Sequence, residues 1–390
     1  MNYFLLFAIL STAFVEQTVI TIVRITTTYR AVELDLSVIW LGIITAVYAV
    51  LPIGIGVPIG RFIDRGYDAA TTWIGGGLLI VGCAGFVLLP SLPGILASTA
   101  LLGTAHLLFV VSQQVQCTRC GTGPGAMERA IGSYMVANAA GQGVGPYIVG
   151  LAGGSASVPP THLLFAVGVG GAVLTAACAL LTRSTGAHKL PPERARPPLR
   201  ELLFAPGLTA IIVVSIVTVV AQDLIVVYLP LLGADRGMTV DAVGTLLVTR
   251  AVASMLSRLS FARLHVVFGR IRLTLVSTFV GAVAYALIAL PLPLPLMYSA
   301  IAVAGFALSI AITASIAGVL AIASGGAIGT ANSLRTMASR IGQFIIPILA
   351  SFIAAAVGTG SIFVIIGISL AASGAAVRFD NKRAGVRPRP

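Results

Sequence analysis

The chain has 390 residues, of which 57% are hydrophobic and 9% charged, and its formal net charge is +12. Soluble domains carry about 25% charged residues, so this composition excludes an ordinary soluble enzyme, a disordered chain and a nucleic-acid binder. A mean hydropathy of +1.03 points to an all-α integral membrane protein. Long apolar runs, punctuated by Gly, Pro and charges, predict twelve transmembrane helices over residues 4–28, 37–60, 70–89, 94–116, 130–153, 162–182, 206–232, 240–263, 272–291, 295–321, 329–356 and 360–377. The runs lack period-two alternation, which excludes a β-barrel. No basic segment precedes the first run and no A-x-A site follows it, so a cleavable signal peptide is not expected.

Basic residues set the predicted orientation. Seventeen Arg and Lys fall on one side of the predicted membrane and two, Arg30 and Arg236, on the other. That bias predicts both termini in the cytoplasm and a multi-pass protein of the cell (inner) membrane. The basic, proline-rich stretch 183–204 reads as a cytoplasmic linker between an N-terminal half, 1–182, and a C-terminal half, 205–378. Residues 379–390 then form a basic tail. Gly141-Gln142-x-x-x-Pro146 recurs as Gly342-Gln343-x-x-x-Pro347, an offset of 201, and Glu16-Gln17 is echoed by Gln222-Asp223. Both echoes fit two pseudo-symmetric six-helix bundles. Cys83 and Cys178 lie in apolar runs, and Cys117 and Cys120 form a lone CxxC. All four read as packing residues, and neither a metal site nor a cofactor is expected.

Three segments resemble a known family, the major facilitator superfamily. Gly132-x8-Gly141-x3-Gly145-Pro146-x2-Val149-Gly150 resembles its antiporter motif, G-x8-G-x3-GP-x2-GG, with Val149 the one departure. Glycines at i and i+4 let a second helix approach closely, and Pro146 permits a bend. Gly60-x-x-x-Asp64-Arg65-Gly66-Tyr67-Asp68 resembles the family's cytoplasmic G-x-x-x-D-R-x-G-R-R motif, with one residue missing before Gly66 and no basic pair. In the second half Phe268-Gly269-Arg270-Ile271-Arg272 keeps part of that motif, with Val266 where the acid would stand. The resemblance implies a secondary transporter of the drug/proton antiporter kind. It also implies helix-packing or conformational roles for Gly60, Asp64, Arg65, Gly141, Gly145 and Pro146.

Ionisable residues inside a membrane cost about 2.5–3.5 kcal/mol each on the insertion scale unless they face a partner or water, so they mark candidate sites. Glu16 and Arg24, eight residues apart in the first span, are read as lying close to one face. A carboxyl in a low-dielectric cavity can exchange a proton, which makes Glu16 the first candidate for proton coupling and Asp223 the second. Thr99, His106 and Gln113 recur every seven residues and form a polar stripe. With Arg24, Asn138, Gln142, Arg250 and Arg340 they make up the predicted substrate cavity. Arginines there suit a carboxylate or phosphate.

The chain is thus expected to be a non-enzymatic transporter, taking a small molecule and protons as its partners within the lipid bilayer, with no nucleic acid, and working as a monomer. The antiporter-like motif favours proton-coupled export of a small organic compound. The excess of cavity arginines favours the alternative, a proton-coupled carrier of an organic anion. A membrane enzyme or receptor ranks last, because no catalytic or nucleotide motif is present.

Overall fold

A computed structural model describes residues 3–120, 126–183, 208–322 and 328–383. The predicted linker from residue 184 onward and the last seven residues of the basic tail lie outside the described residues, as does the side chain of Asp64. Among the described residues there is no strand, and helices account for nearly everything. They are α1 (Tyr3–Glu33), α2 (Val38–Asp64), α3 (Asp68–Leu88), α4 (Leu92–Arg119), α5 (Ala126–Gly153), α6 (Thr161–Leu180), α7 (Leu208–Asp235), α8 (Val240–Phe268), α9 (Arg270–Ala289), α10 (Leu294–Ile322), α11 (Ile328–Val357) and α12 (Gly360–Arg383).

Eleven of these helices are long and apolar enough to cross a membrane. The other, α5, has 28 residues, but its glycines, Asn138 and Gln142 dilute its apolar character. A helix satisfies its own backbone, which is what a chain this apolar requires in lipid. The last helix runs to Arg383, so the start of the basic tail is helical. The turns after α2 and α8 each carry a glycine at positive φ, Gly66 at 94° and Gly269 at 71°. A side chain there would be strained.

The chain divides into two compact units, Met1–Leu190 with Val226–Val248, and Pro191–Ile225 with Thr249–Pro390. In the first, α1 packs on α5 and α6, α3 on α4 and α6, and α2 on α4. In the second, α9 packs on α10 and α12, the same pairing that α3 makes with α4 and α6.

The first unit holds two glycine seams. On α5, a Cβ at Gly141 would lie 2.5 Å from the Phe14 carbonyl oxygen and 3.1 Å from the Thr18 nitrogen, and one at Gly145 would lie 2.9 Å from the Thr18 oxygen. These two glycines therefore admit the main chain of α1. Gly145→Leu is expected to insert into the membrane yet lose at least about 1–3 kcal/mol of stability through overpacking, read as a lowered unfolding temperature in detergent. An unchanged unfolding temperature would show that the seam is loose.

Further along α5 the close partner is α8. A Cβ at Gly244 would sit 2.7 Å from the Pro146 oxygen and 2.9 Å from the Gly150 Cα. The Val240 and Asp241 N–H groups donate to the carbonyls of Ala156 and Gly154, at 2.9 and 3.1 Å. A helix N-terminus carries N–H groups with no intrahelical partner, and here the turn after α5 supplies acceptors for two of them.

The internal repeat is visible at a third seam. Gly103 on α4 faces the main chain of Tyr48 on α2, and Gly305 on α10 faces the main chain of Arg250 on α8. Both members of the second pair lie 202 positions after those of the first. Gly342 on α11 faces Ile216 and Val220 of α7, as Gly141 faces Phe14 to Thr18 of α1. By this register the counterpart of Glu16 is Thr218. Asp223 lies five residues further along α7, so the Glu16-Gln17 echo at Gln222-Asp223 does not mark equivalent positions.

Candidate functional site

In the first unit the site is built on α1. Thr12, Thr18, Thr21, Thr26 and Thr27 each donate their hydroxyl to the carbonyl four residues earlier, at 2.7–2.8 Å. The hydroxyls are thereby satisfied inside an apolar environment. Glu16 sits among them and is 1% exposed. Its Oε1 lies 2.8 Å from Nδ1 of His106 on α4. The carboxyl thus meets a titratable partner 90 residues away in sequence. Arg24 does not share that partner's position. Eight residues leave about 80° between side chains on a helix, and the Arg24 guanidinium instead lies 4.8 Å from the centre of the Tyr48 ring.

Tyr48 also meets His106, with ring centroids 5.9 Å apart. One aromatic ring therefore touches both a cation and the imidazole that holds the acid. Cation–π contacts of this kind gain strength where water is excluded. A small cavity beside them is lined by Arg24, Thr27, Thr28, Thr45, Tyr48 and Thr99. Its threonine hydroxyls donate to backbone carbonyls.

The remaining predicted residues of this unit fall nearby or at its ends. Gln113 lies two turns along α4 from His106 and is 1% exposed. On α5, Gln142 donates to Asn138 at 3.4 Å, as their spacing suggested. Cys117 and Cys120 are free thiols that pack with Ile9, Ala13 and Tyr134. Gly60 faces open space rather than another helix, and Arg65 is exposed at the turn after α2.

In the second unit Gln343 links the predicted residues. Its amide donates to a carboxylate oxygen of Asp223, and its own oxygen accepts from Arg340 at 3.2 Å. Arg335 turns elsewhere, donating to the Ser215 hydroxyl at 3.0 Å, as the angle between two positions five apart requires. Arg250 is 1% exposed and within electrostatic reach of Tyr285, which also senses Asp223. The Tyr285 hydroxyl donates to the Ala221 carbonyl at 2.7 Å. Ser254, one turn from Arg250, bonds the Gly305 carbonyl at 3.1 Å.

Sequence reasoning did not select Gln343, Tyr48 or Tyr134 as site residues. The repeated Gly-Gln-x-x-x-Pro segment was a signal for Gln343. Nothing in the sequence distinguishes Tyr48 or Tyr134 from other aromatic residues in apolar helices. Among the described residues no group of three or more His, Cys, Asp or Glu is placed to hold a metal ion.

A model of the Major Facilitator Superfamily matches residues 4–232 and 211–390 of the chain. No curated protein sequence matches it. Among solved structures, a mutant of the nucleoside transporter NupG superposes with a TM-score of 0.80 at 11% identity, over 96% of this chain and 99% of that one. A bacterial homolog of the human lysosomal transporter Spinster, inward-facing and occupied, gives 0.76 at 16%, over 99% and 98%. A POT family transporter in complex with a thioalcohol-conjugated peptide gives 0.80 at 12%, over 97% and 96%. At these identities the likeness concerns the fold.

Proposed function

The chain belongs to the major facilitator superfamily, and from that premise we propose that it is a proton-coupled exporter of a small organic compound. Membership makes it a multi-pass membrane transporter. The finer reading has twelve spans with both termini cytoplasmic, in the cell membrane, and a monomer as the working unit. The observation that carries proton coupling is the buried Glu16 carboxyl 2.8 Å from His106. Two titratable groups in contact can hold one proton between them and release it when a neighbour's charge changes. Arg24, joined to the pair through Tyr48, is a cation whose movement would alter that balance. Asp223, held by Gln343, is the second proton candidate.

A second reading, a carrier of an organic anion, draws on Arg250, an almost fully enclosed arginine in the second unit. Guanidinium groups bind carboxylates through paired hydrogen bonds. A proteoliposome screen with an imposed pH gradient, run against cationic dyes and organic acids, separates the two. Gradient-driven movement of dyes supports export, movement of acids supports the anion carrier, and movement of neither overturns proton coupling.

The topology has its own check. A single cysteine introduced within residues 183–204, in a variant lacking the four native cysteines, should react with an impermeant maleimide only from the cytoplasmic side. Labelling of intact cells from outside would reverse the orientation.

A further inference from the structure

From Arg250 to Phe379 the sequence holds eight arginines and neither an Asp nor a Glu. Four of them, Arg263, Arg270, Arg272 and Arg378, gather at one end of the second unit. Arg263 and Arg270 flank the turn between α8 and α9. The antiparallel packing of α9 on α12 sets Thr278 beside Gly374 and Leu275 in one cluster with Val377. One turn further on, Arg272 therefore reaches the same end as Arg378. Arg263, Arg272 and Arg378 are exposed. Among the described residues, none of the four side chains makes a hydrogen bond or an ion pair. The side chain of Asp380, the acid next in sequence, lies outside the described residues, as do those of Lys382 and Arg383.

The same end is apolar as well as basic. Val266 is 84% exposed, more than any other large apolar residue among the described residues, and Val267 is 73% exposed. Phe268 and Phe379 are exposed beside them. By the 202-residue register of the repeat, Val266 takes the position that Asp64 holds in the first half. The turn after α2 balances Arg61 and Arg65 with Asp64 and Asp68. Its counterpart after α8 keeps arginines and has an exposed valine in place of the acid. A basic membrane face alone reports topology. Arginines with no acid to meet, set around apolar side chains, report a partner that is both anionic and apolar.

Depth identifies the partner. The α9 helix has 20 residues, about 30 Å at the helical rise, which is about the thickness of a bilayer's hydrocarbon core. Arg270 at its start therefore lies where the core meets the headgroups, and Val266–Phe268 just before it lie at the same level. A dissolved anion would meet the arginines there and leave the valines uncovered. A phospholipid with a net negative headgroup meets both, since guanidinium groups bind phosphate through paired hydrogen bonds. Gly269 gives α9 no side-chain cap, so the first N–H groups of that helix add to the positive field.

We propose that the α8–α9 turn and the adjoining end of α12 form a binding site for an anionic phospholipid of the neighbouring leaflet. Arg263, Arg272 and Arg378 attract its phosphate, and Val266, Val267 and Phe379 lie against the upper part of its acyl chains. The inference rests on the chain spanning the membrane and needs neither proton coupling nor export. With both termini cytoplasmic, the leaflet is the cytoplasmic one.

The test is native mass spectrometry of the purified full-length protein in detergent, given equal amounts of phosphatidylglycerol and phosphatidylcholine with the same acyl chains. Wild type should retain phosphatidylglycerol in preference by about tenfold or more. An arginine near an anionic lipid surface contributes about fivefold, so Arg263→Gln/Arg272→Gln/Arg378→Gln should hold the two lipids about equally. Val266→Ser/Val267→Ser should weaken retention of both lipids and keep their ratio. All five side chains are exposed, so both variants should unfold at the wild-type temperature in lipid-free detergent. Equal retention by wild type overturns the proposal. So does a preference that survives in the triple variant, which would put the anionic lipid elsewhere. Displacement of phosphatidylglycerol by an equal concentration of glycerol phosphate would make the ligand a soluble anion, and a dimer lost in the triple variant would make it a second copy. Either result overturns the lipid. The pH-gradient screen decides the transport reading separately: failure there leaves this site standing, and a lipid-blind wild type leaves transport untouched.

Discussion

Glu16→Gln is expected to abolish accumulation of substrate against a concentration gradient, by about 100-fold or more in pH-driven flux, while leaving downhill exchange largely intact. The carboxyl is 1% exposed and has His106 at 2.8 Å. Glutamine has nearly the same shape and can still accept a hydrogen bond from the imidazole, so packing around α1 should persist. What it cannot do is gain and lose a proton. Substrate can then enter and leave, but its movement is no longer tied to the proton gradient. The measurement is a pair of assays in proteoliposomes, one driven by a pH gradient and one by substrate exchange at equal pH. If the variant still concentrates substrate at the wild-type rate, Glu16 is not the coupling residue, and Asp223 is tested in the same way. Active neutral variants at both positions would end the proton-coupling account and leave the fold untouched.

Gly103→Ala should damage the protein more than any other single added methyl group in the described helices. Its Cβ would be driven onto the Tyr48 carbonyl, with the Tyr48 Cα 3.1 Å away. A main chain cannot rotate aside as a side chain can, so α2 and α4 must part. Overpacking of this kind costs about 1–3 kcal/mol or more. The functional loss should exceed the stability loss, because Tyr48 carries both the Arg24 contact and the His106 contact. Gly305→Ala, 202 positions later, meets the Arg250 carbonyl at 2.6 Å and should behave in the same way. Thermal unfolding in detergent and transport rate together test the pair. Wild-type behaviour in both variants would mean that the two helix crossings are far looser than the structure has them.

The helices themselves were legible, since an apolar run of twenty or more residues has few other options in lipid. Boundaries differ most where polar residues end a span but not the helix. The first helix continues past 28 to Glu33, and the last continues past 377 to Arg383. The candidate site was half legible. Depth in the membrane can be counted along the chain, and it selected Glu16, His106 and Arg250. Azimuth cannot, because it is set by which helix each face meets. Hence Arg24 was read as sharing a face with Glu16 when it lies against Tyr48. For the same reason Asp223 was read as the counterpart of Glu16, although the glycine contacts give that position to Thr218. The Gly-Gln-x-x-x-Pro repeat pointed to the duplication, yet Gln343 was not recognised as the bridge between Asp223 and Arg340. Arg340 is its i−3 neighbour on α11, but Asp223 comes from α7, and no spacing rule connects the two helices.

The junction between the α5–α6 turn and the start of α8 has a consequence for how sequence change is felt. Its two hydrogen bonds join Val240 and Asp241 to Ala156 and Gly154 through main-chain atoms alone. Exchanging the side chains of Ala156 or Asp241 does not remove either bond, so most substitutions there should pass unnoticed. Sensitivity is displaced onto Gly153 and Gly244, where an added Cβ would be driven onto the Val240 side chain and to 2.7 Å from the Pro146 oxygen, and onto Gly154, whose φ of 52° disfavours any side chain. A saturation scan across this region would therefore give a flat profile broken by three sharp peaks. A fitness map of that form would locate a junction whose bonding atoms only proline, at Val240 or Asp241, can remove.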